Sequence, residues 1–219
     1  MRLSLLCFIA ILPSGFLFAS DSSGSESGNS VSPSAVVREL NRARENPDAY
    51  AAGLEELRSS FQGKMLVVSG HRICTREGVK AVDEAIRFLH SAKPLKPLVL
   101  SPGLSRSAAD HCADLSGGHL GHRGSDGSNP GVRMNRYGTW SSLWGENLSF
   151  GKRTARDIVF QLIIDDGLSS RKHRKNIFNP RFNFAGAAYG THASYGSVCS
   201  IDLAAGYTEN GSTLVARNY

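Results

Sequence analysis

The order of two hydrophobic patterns along the chain constrains its fold more than any other feature. Between residues 33 and 166, apolar residues recur at three- and four-residue spacing in several segments, which predicts amphipathic helices. After Pro180 the pattern changes to segments rich in glycine and alanine with partial alternation. This pattern predicts two strands, at 182–190 and 195–204, joined by a turn near His192. Helices first and an antiparallel sheet later indicate an α+β fold in which helices cover the sheet.

Local signals place the individual elements. Serine and threonine caps, prolines at first helical positions and glycines after last turns mark the helix ends. The apolar run at 65–69 is compatible with either a helix or a strand, and its secondary structure is not assigned. Residues 117–150 are rich in Gly, Ser and Asn and are predicted to be loop or short turns, held to the body by their aromatic residues. The predicted helices are 33–50, interrupted at Asn46-Pro47 with a further phase through Leu57, then 78–90, 101–115 and 154–166, and a last short strand is predicted at 214–216.

The N-terminus has the pattern of a secretory signal peptide. Arg2 precedes an apolar run over residues 3–18, and small residues follow it. A membrane anchor is the alternative, but the run is short and Pro13-Ser14-Gly15 interrupts it. Residues 21–32 are rich in Ser and Gly and predict a flexible leader. The remaining residues, 33–219, are predicted to form one domain without a spanning segment, which is extracellular or, in a bacterium, periplasmic.

The charge of the chain does not indicate a nucleic-acid partner. The formal net charge is +6, and basic residues are densest at 171–175. Aromatic residues do not interleave with this run, and a secreted protein seldom meets nucleic acid. We therefore interpret the run as a solvated basic turn beside a helix.

Three cysteines remain after removal of the signal peptide: Cys74, Cys112 and Cys199. An odd number in an oxidising compartment allows one disulfide with a free thiol, or no disulfide. Cys112 lies in a predicted helix and Cys199 in a predicted strand, which favours buried, unpaired thiols.

Two imidazoles and several carboxylates lie within about fifty residues of one another. They are His122, Glu146, Asp165, Asp166 and His173. If they meet in a cleft with an open position, His122, Glu146 and His173 could bind a divalent metal such as zinc and lower the pKa of its bound water. The alternative is a hydrogen-bonded His–acid network that braces the loops without metal.

Four motifs then carry a family resemblance. They are Leu40-Asn41-x-x-Arg44, Ala108-Ala109-x-His111-x-x-Asp114, Gly145-Glu146-Asn147-Leu148, and Ser170-x-x-His173-Arg174-x-Asn176-Ile177-Phe178. In this order, and supported by Gly186-Ala187-Ala188 in a strand, they resemble the CAP (SCP) domain of cysteine-rich secretory, antigen 5 and pathogenesis-related proteins. The last motif is similar to the bacterial branch. The resemblance implies a three-layer α-β-α sandwich with a central antiparallel sheet and a cleft.

The resemblance also implies which residues line that cleft. The family's two histidines fall on His122 and His173, and its Gly-Glu-Asn-Leu glutamate falls on Glu146. The second acid of the animal and plant members is a glutamate, whereas this chain has Asp165 and Asp166 near that place. Among the other histidines, His111 is predicted to be structural, and surface positions are predicted for His71, His90 and His192. His119, three residues before His122, is an alternative to it, but the family pattern favours His122.

The implied function is that of a secreted binding module. Its cleft would take a divalent metal, a polar ligand or a lipid such as a sterol, since family members have been linked to lipid binding. A metal-dependent, peptidase-like hydrolase that uses Glu146 as base or ligand is the alternative. The chain has neither a Gly-x-Ser-x-Gly nucleophile motif nor a His-Glu-x-x-His motif, so the sequence names no catalytic residue.

Overall fold

The computed structural model describes residues 31–68 and 71–211. The predicted signal peptide, nearly all of the predicted leader and the strand predicted at 214–216 lie outside the described residues.

Seven helices and seven strands lie in the described part of the chain. The helices are α1 (Pro33–Glu45), α2 (Pro47–Arg58), α3 (Val79–Ser91), α4 (Pro102–Leu115), α5 (Pro130–Met134), α6 (Ala155–Ile164) and α7 (Lys172–Ile177). The strands are β1 (Phe61–Gln62), β2 (Met65–Val68), β3 (His71–Cys74), β4 (Val99–Leu100), β5 (Gly138–Phe150), β6 (Phe184–Gly190) and β7 (Val198–Glu209).

Three of the helices, α1, α4 and α6, begin at side-chain caps that lie where the sequence predicts a helix start. The hydroxyl oxygens of Ser32, Ser101 and Thr154 accept backbone N–H groups three residues further on, at 3.1, 3.1 and 3.0 Å. Each bond satisfies one of the N–H groups that a first helical turn leaves without a partner. The predicted interruption at Asn46 is also confirmed, because α1 ends at Glu45 and α2 begins at Pro47.

The main sheet has the strand order β4-β6-β7-β5. The β6–β7 and β7–β5 pairs are antiparallel, and the two-residue edge strand β4 runs parallel to β6. Helix α4 packs on one face, while α1 and α6 pack on the other, where α2 and α3 complete the larger core. The α+β class and the three-layer sandwich are therefore confirmed.

The prediction of loop or turns over 117–150 is wrong for its second half. Residues 138–150 form β5, a strand of 13 residues that pairs along β7 with one irregularity between Ser141 and Trp144. The strand was hidden because its buried positions include polar residues, Glu146, Asn147 and Ser149, instead of alternating apolar ones. Their burial depends on partners from distant segments, which a local pattern does not reveal.

The first family motif turns out to anchor helix α1. The buried Arg44 donates to the carbonyl oxygens of Lys96, Ile177, Asn179 and Phe182, at 2.6 to 3.2 Å. These bonds join α1 to the segment before β4, to the last residue of α7 and to the chain that follows it. Arg44 therefore stabilises the packing of these segments, and its hydrogen bonds go to backbone carbonyls and not to the histidines or acids of the predicted cleft.

The three cysteines of the described residues are unpaired. Cys112 and Cys199 are buried, as predicted, and Cys74 is exposed. Burial raises the pKa of the Cys112 thiol to about 12, so this thiol stays protonated and is a poor nucleophile.

Candidate functional site

The first half of the site is a hydrogen-bonded pair between His122 and Glu146. Glu146 lies on β5, and its Oε1 is 2.7 Å from Nδ1 of His122, in the loop after α4. A carboxylate can only accept here, so the Nδ1–H of His122 donates. The His122 side chain is 53% exposed, whereas that of Glu146 is buried. The pair therefore presents an oriented imidazole to solvent.

A buried arginine holds Glu146 from the other side. Nη2 of Arg133 donates to Oε2 of Glu146 at 2.6 Å, and the Arg133 side chain is fully buried. Burial works to raise the pKa of Glu146, but the hydrogen bond from His122 and the charge of Arg133 help to leave that pKa below its ordinary value. Both carboxylate oxygens are engaged, and Glu146 is ionised at neutral pH.

His111 has the structural role that the sequence predicted. Its ring is fully buried, and Nε2 lies 2.9 Å from the carbonyl oxygen of Gly121. Burial lowers the pKa of His111, which favours the neutral ring as donor to that carbonyl. His111 thus supports the loop that carries His122.

Sequence reasoning missed a second acid beneath Glu146. Asp202 on β7 is the register partner of Glu146 on β5 and is fully buried. Burial raises the pKa of Asp202 well above its ordinary value, and the neighbouring negative charge of Glu146 raises it further. The raised pKa favours the protonated, neutral form of Asp202. The available signal was an aspartate between Ile201 and Leu203 in a predicted buried strand.

The second half of the site is a pair between His173 and Asp165. Asp165 ends α6 in the left-handed conformation, with φ of 55°. Its Oδ1 is 2.7 Å from Nδ1 of His173, and its Oδ2 accepts the backbone N–H of His173 at 2.9 Å. His173 lies in the first turn of the short helix α7, not in an irregular turn as the sequence suggested.

The two candidate aspartates have different positions. Asp165 contacts His173, whereas Asp166 accepts the backbone N–H groups of Arg76 and Glu77 just before α3, both at 2.7 Å. Asp166 lines the same groove, but its carboxylate is engaged in holding that segment.

Two asparagines of the family motifs join the halves of the site. Nδ2 of Asn147, next to Glu146 on β5, donates to the carbonyl oxygen of His173 at 3.1 Å. Nδ2 of Asn176 on α7 donates to Oδ1 of Asn147 at 2.8 Å. Helix α7, and His173 with it, is therefore held against β5. Sequence reasoning did not assign these asparagines a role in the site.

Of the three histidines predicted to lie at the surface, His90 is exposed and His192 is buried, while the side chain of His71 lies outside the described part of the chain. His122, and not His119, contacts Glu146. The expectation that His192 lies on the surface is wrong, because it is only 2% exposed. Its Nδ1 accepts the N–H groups of Ser194 and Tyr195, and Phe150 contacts its ring. The turn between β6 and β7 folds over this ring and buries it.

An ion-pair network fixes the start of α7. The guanidinium of Arg171 donates to both Glu77 and Glu84 on the α3 side, and Arg174 also donates to Glu84. Two of the basic residues in 171–175 are therefore paired inside the fold. The Arg171 hydrogen bond, helped by Arg174, overcomes partial desolvation and holds the pKa of Glu84 at about 2.

This network predicts a loss of stability in acid. Because the folded-state pKa of Glu84 is depressed from 4.5 to about 2, its contribution is complete above about pH 4.5 and is lost as the pH falls toward 2. Glu84→Gln should lower the melting temperature by a few degrees at pH 7 and reduce its fall between pH 4.5 and 2. Melting curves across pH test this, with the exposed Glu56→Gln as control. An unchanged acid profile in Glu84→Gln would contradict it.

The predicted three-ligand zinc site is not assembled by these contacts. Across residues 31–68 and 71–211, no three His, Cys, Asp or Glu side chains form a group that could hold a metal ion. Glu146 and Asp165 each orient an imidazole through Nδ1, which is the arrangement of carboxylates behind metal-bound histidines. In that arrangement only the two imidazoles, of His122 and His173, would bind the ion directly. Catalytic zinc sites usually have three protein ligands. Zinc binding stays a prediction.

A groove of about 560 Å³ connects the two pairs. His122 and His173 both line it, and most of its wall is apolar. The sheet β1-β2-β3, α2, α6 and the end of β5 contribute Leu57, Phe61, Leu66, Val68, Ile73, Leu148, Phe150, Phe160, Leu162 and Ile164. The sequence did not predict this groove. Strand β2 forms part of its wall, and the secondary structure of residues 65–69 was not assigned from the sequence. Within the described residues, no helix has the length and apolarity to span a bilayer.

Comparisons with known proteins agree with the motifs. The profile of the CAP family, the cysteine-rich secretory protein family, matches residues 37–202. The uncharacterized protein YkwD of Bacillus subtilis (strain 168) is 30% identical over 111 residues, which are 50% of this chain and 41% of YkwD. The match thus spans less than half of that relative's length.

Two solved structures are distantly similar. An outer surface protein from Borrelia burgdorferi has 18% identity and a TM-score of 0.42, over 50% of this chain and 78% of that one. An extracellular protein containing a SCP domain from Bacillus anthracis str. Ames has 17% identity and a TM-score of 0.39, over 57% of this chain and 37% of that one. The profile match, by contrast, covers most of the chain and includes His122, Glu146 and His173. The chain therefore belongs to the CAP family of cysteine-rich secretory proteins.

Proposed function

We propose that this CAP-domain protein is a secreted binding module whose groove takes an apolar or amphipathic small molecule. The observation that carries the proposal is the groove of about 560 Å³ with apolar walls and two carboxylate-paired imidazoles in its lining. Small-molecule sites commonly have about 300–1,000 Å³, mostly apolar walls and a few fixed polar groups. The groove has each of these properties.

The groove walls supply affinity and the imidazoles supply polar contacts. Burying apolar surface is worth about 0.8 kcal/mol per CH₂ group, so a ligand with an aliphatic chain gains most from the walls. The imidazoles of His122 and His173 are each bonded through Nδ1, and no hydrogen bond within the described residues uses their Nε2 atoms. Nε2 is therefore available to a polar atom of the ligand.

Secretion is the second part of the proposal. It rests on the apolar N-terminal run after Arg2 and on the polar residues that follow it. Mass spectrometry of protein recovered from outside the cytoplasm should find an N-terminus near residue 21. An intact Met1 in that fraction would contradict cleavage.

A charge placed in the groove should weaken binding. Val68 lines the groove and is 41% exposed, so Val68→Asp should fold normally. A carboxylate facing an apolar ligand is costly to desolvate, and we expect at least about tenfold weaker binding of the neutral dye Nile red, followed by its fluorescence. The matched control is Val99→Asp on β4, where valine is 57% exposed and does not line the groove.

The outcomes separate the alternatives. Failure of the wild-type protein to bind Nile red, or equal binding by both variants, would contradict the binding module. The hydrolase alternative requires bound metal. Calorimetric titration of the wild-type protein and of His122→Ala and His173→Ala with zinc measures metal binding independently of the dye.

A further inference from the structure

Two stretches of the chain carry basic residues and no acids. Residues 85–109 contain four Lys or Arg residues and no Asp or Glu, and residues 167–201 contain five and again no acid. Within the described part of the chain, the groove lining includes none of these basic residues. Two arginines of the second stretch pair with acids near α3, whereas Lys172 and Lys175 are exposed. A surface formed by both stretches is therefore basic and lies outside the groove.

The fold brings the two acid-free stretches together around Arg44. Its guanidinium donates to the carbonyl oxygen of Lys96 in the first stretch and to three carbonyl oxygens between residues 177 and 182 in the second. The ring of Phe88 on α3 also packs edge-on against the ring of Phe178, with centroids 5.0 Å apart. The end of α3, the segment before β4 and the chain after α7 thus meet at one place.

Four exposed cations lie at these contacts or within two residues of them. We call this group the basic patch: Arg87, Lys96, Lys175 and Arg181. Among residues 31–68 and 71–211, none of the four forms an ion pair. Lys93 and Lys172 are exposed neighbours of the patch and are likewise unpaired within these ranges. The patch therefore presents several uncompensated positive charges to solvent.

The acids near the patch do not neutralise it. Glu84, one turn before Arg87 on α3, is bonded to Arg171 and Arg174. The exposed acid Glu45 follows Arg44 at the end of α1 and supplies one negative charge. Against this single carboxylate stand the four cations of the patch. The potential at this face is therefore positive, and it attracts anionic partners.

We propose that the basic patch binds a linear phosphate polymer outside the cytoplasm, with repeated negative charges on a backbone without bases. The inference goes beyond the groove and does not depend on its ligand. An exposed cation gains little from one exposed anion in water. A polymer meets several cations at once, and its binding releases the counterions that had condensed on it. Cations on separate segments suit such a partner better than a single small anion.

The residues around the cations argue against two other polyanionic partners. Single-stranded nucleic acid stacks its bases on accessible aromatic rings, whereas Phe88 and Phe178 pack on each other and are partly buried. Segments that attach to a membrane surface usually insert exposed apolar side chains. Residues 93–97 and 178–181 expose no large hydrophobic side chain. The chemistry of the patch is thus mainly charge, as a hydrophilic polymer requires.

Calorimetric titration with inorganic polyphosphate tests the proposal. We expect the double variant Arg87→Gln/Lys175→Gln to bind polyphosphate at least about tenfold more weakly than the wild type at low salt, because it has two fewer cations to meet the polymer. Arg87→Lys/Lys175→Arg, which keeps both charges, should bind as the wild type does. The matched control is Lys64→Gln/Arg72→Gln, which removes one exposed Lys and one exposed Arg beside β1, β2 and β3. This control should also bind normally.

Each alternative has its own outcome. Absence of polyphosphate binding by the wild type, or equal weakening in the control variant, would overturn the proposal. So would equal binding of free inorganic phosphate at the same phosphate concentration. Tighter binding of oligothymidylate or of phosphatidylglycerol vesicles than of polyphosphate would assign the patch to nucleic acid or to a bilayer instead.

Salt dependence keeps the proposal testable if the glutamine variant does not fold. Wild-type binding of polyphosphate should weaken steeply as salt rises from about 50 to 200 mM, because counterion release drives it. Binding that is insensitive to salt would overturn the proposal. Val68→Asp should bind polyphosphate normally, since Val68 lines the groove and not the patch. The two proposals therefore fail independently.

Discussion

Gly186→Ala should destabilise this protein severely, because helix α4 lies directly against strand β6 at that position. A Cβ atom on Gly186 would lie 2.2 Å from the backbone nitrogen of Ser105 and 2.3 Å from the carbonyl carbon of Leu104. The obstructing atoms are mainly helix backbone, which cannot move aside as a side chain can. We expect a loss of about 3 kcal/mol or more in the free energy of unfolding, measured by urea denaturation.

Gly190→Ala is the matched control at the end of the same strand. Its Cβ would lie 3.5 Å from Cβ of Cys112, an ordinary contact. The free energy of unfolding should change by about 1 kcal/mol or less. If Gly186→Ala unfolds at the wild-type midpoint, α4 does not approach β6 as closely as these distances require.

Glu146→Gln should produce the second large effect. The substitution removes the charge that compensates the buried Arg133 and changes the partner of His122. Breaking one side of a buried ion pair typically costs about 3–5 kcal/mol, because the remaining charge is left without compensation. Urea denaturation should show a loss of this size. The ring signals of His122 in NMR spectra should shift as its carboxylate partner is lost.

Asp202→Asn is the control for the same acid-to-amide change. Asp202 is as deeply buried as Glu146 and lies opposite it across the β5–β7 pair. Because its raised pKa favours the neutral acid, the amide replaces that acid with a group of similar size and equal charge. We expect a change within about 1 kcal/mol. A loss as large as that of Glu146→Gln would mean that Asp202 is ionised in the folded protein.

The helices could be predicted because their signals are local. The caps at Ser32, Ser101 and Thr154 and the break at Asn46 act within one helical turn, and the structure has helix ends at these places. Strand β5 could not be predicted in the same way. Its central side chains are polar and buried, and their partners, Arg133 and α7 among them, come from other parts of the chain.

The candidate site was predicted in part. Residue types and family motifs indicated His122, Glu146 and His173, and the structure pairs the two histidines with carboxylates. Sequence spacing did not distinguish Asp165 from Asp166. The left-handed backbone at Asp165 determines which aspartate meets His173. It directs Asp165 to His173 and Asp166 to the backbone before α3.

The sequence by itself determined the class of this protein: an α+β domain of the CAP family with two histidines and acids in its motifs. These properties depend on periodicity, caps and residue identity, which act locally. Only the tertiary structure decided that each carboxylate orients an imidazole, that Asp202 lies beneath Glu146, and that an apolar groove adjoins both pairs. Burial and hydrogen-bond partners arise when distant segments pack together, and packing sets the charge and orientation of each polar group.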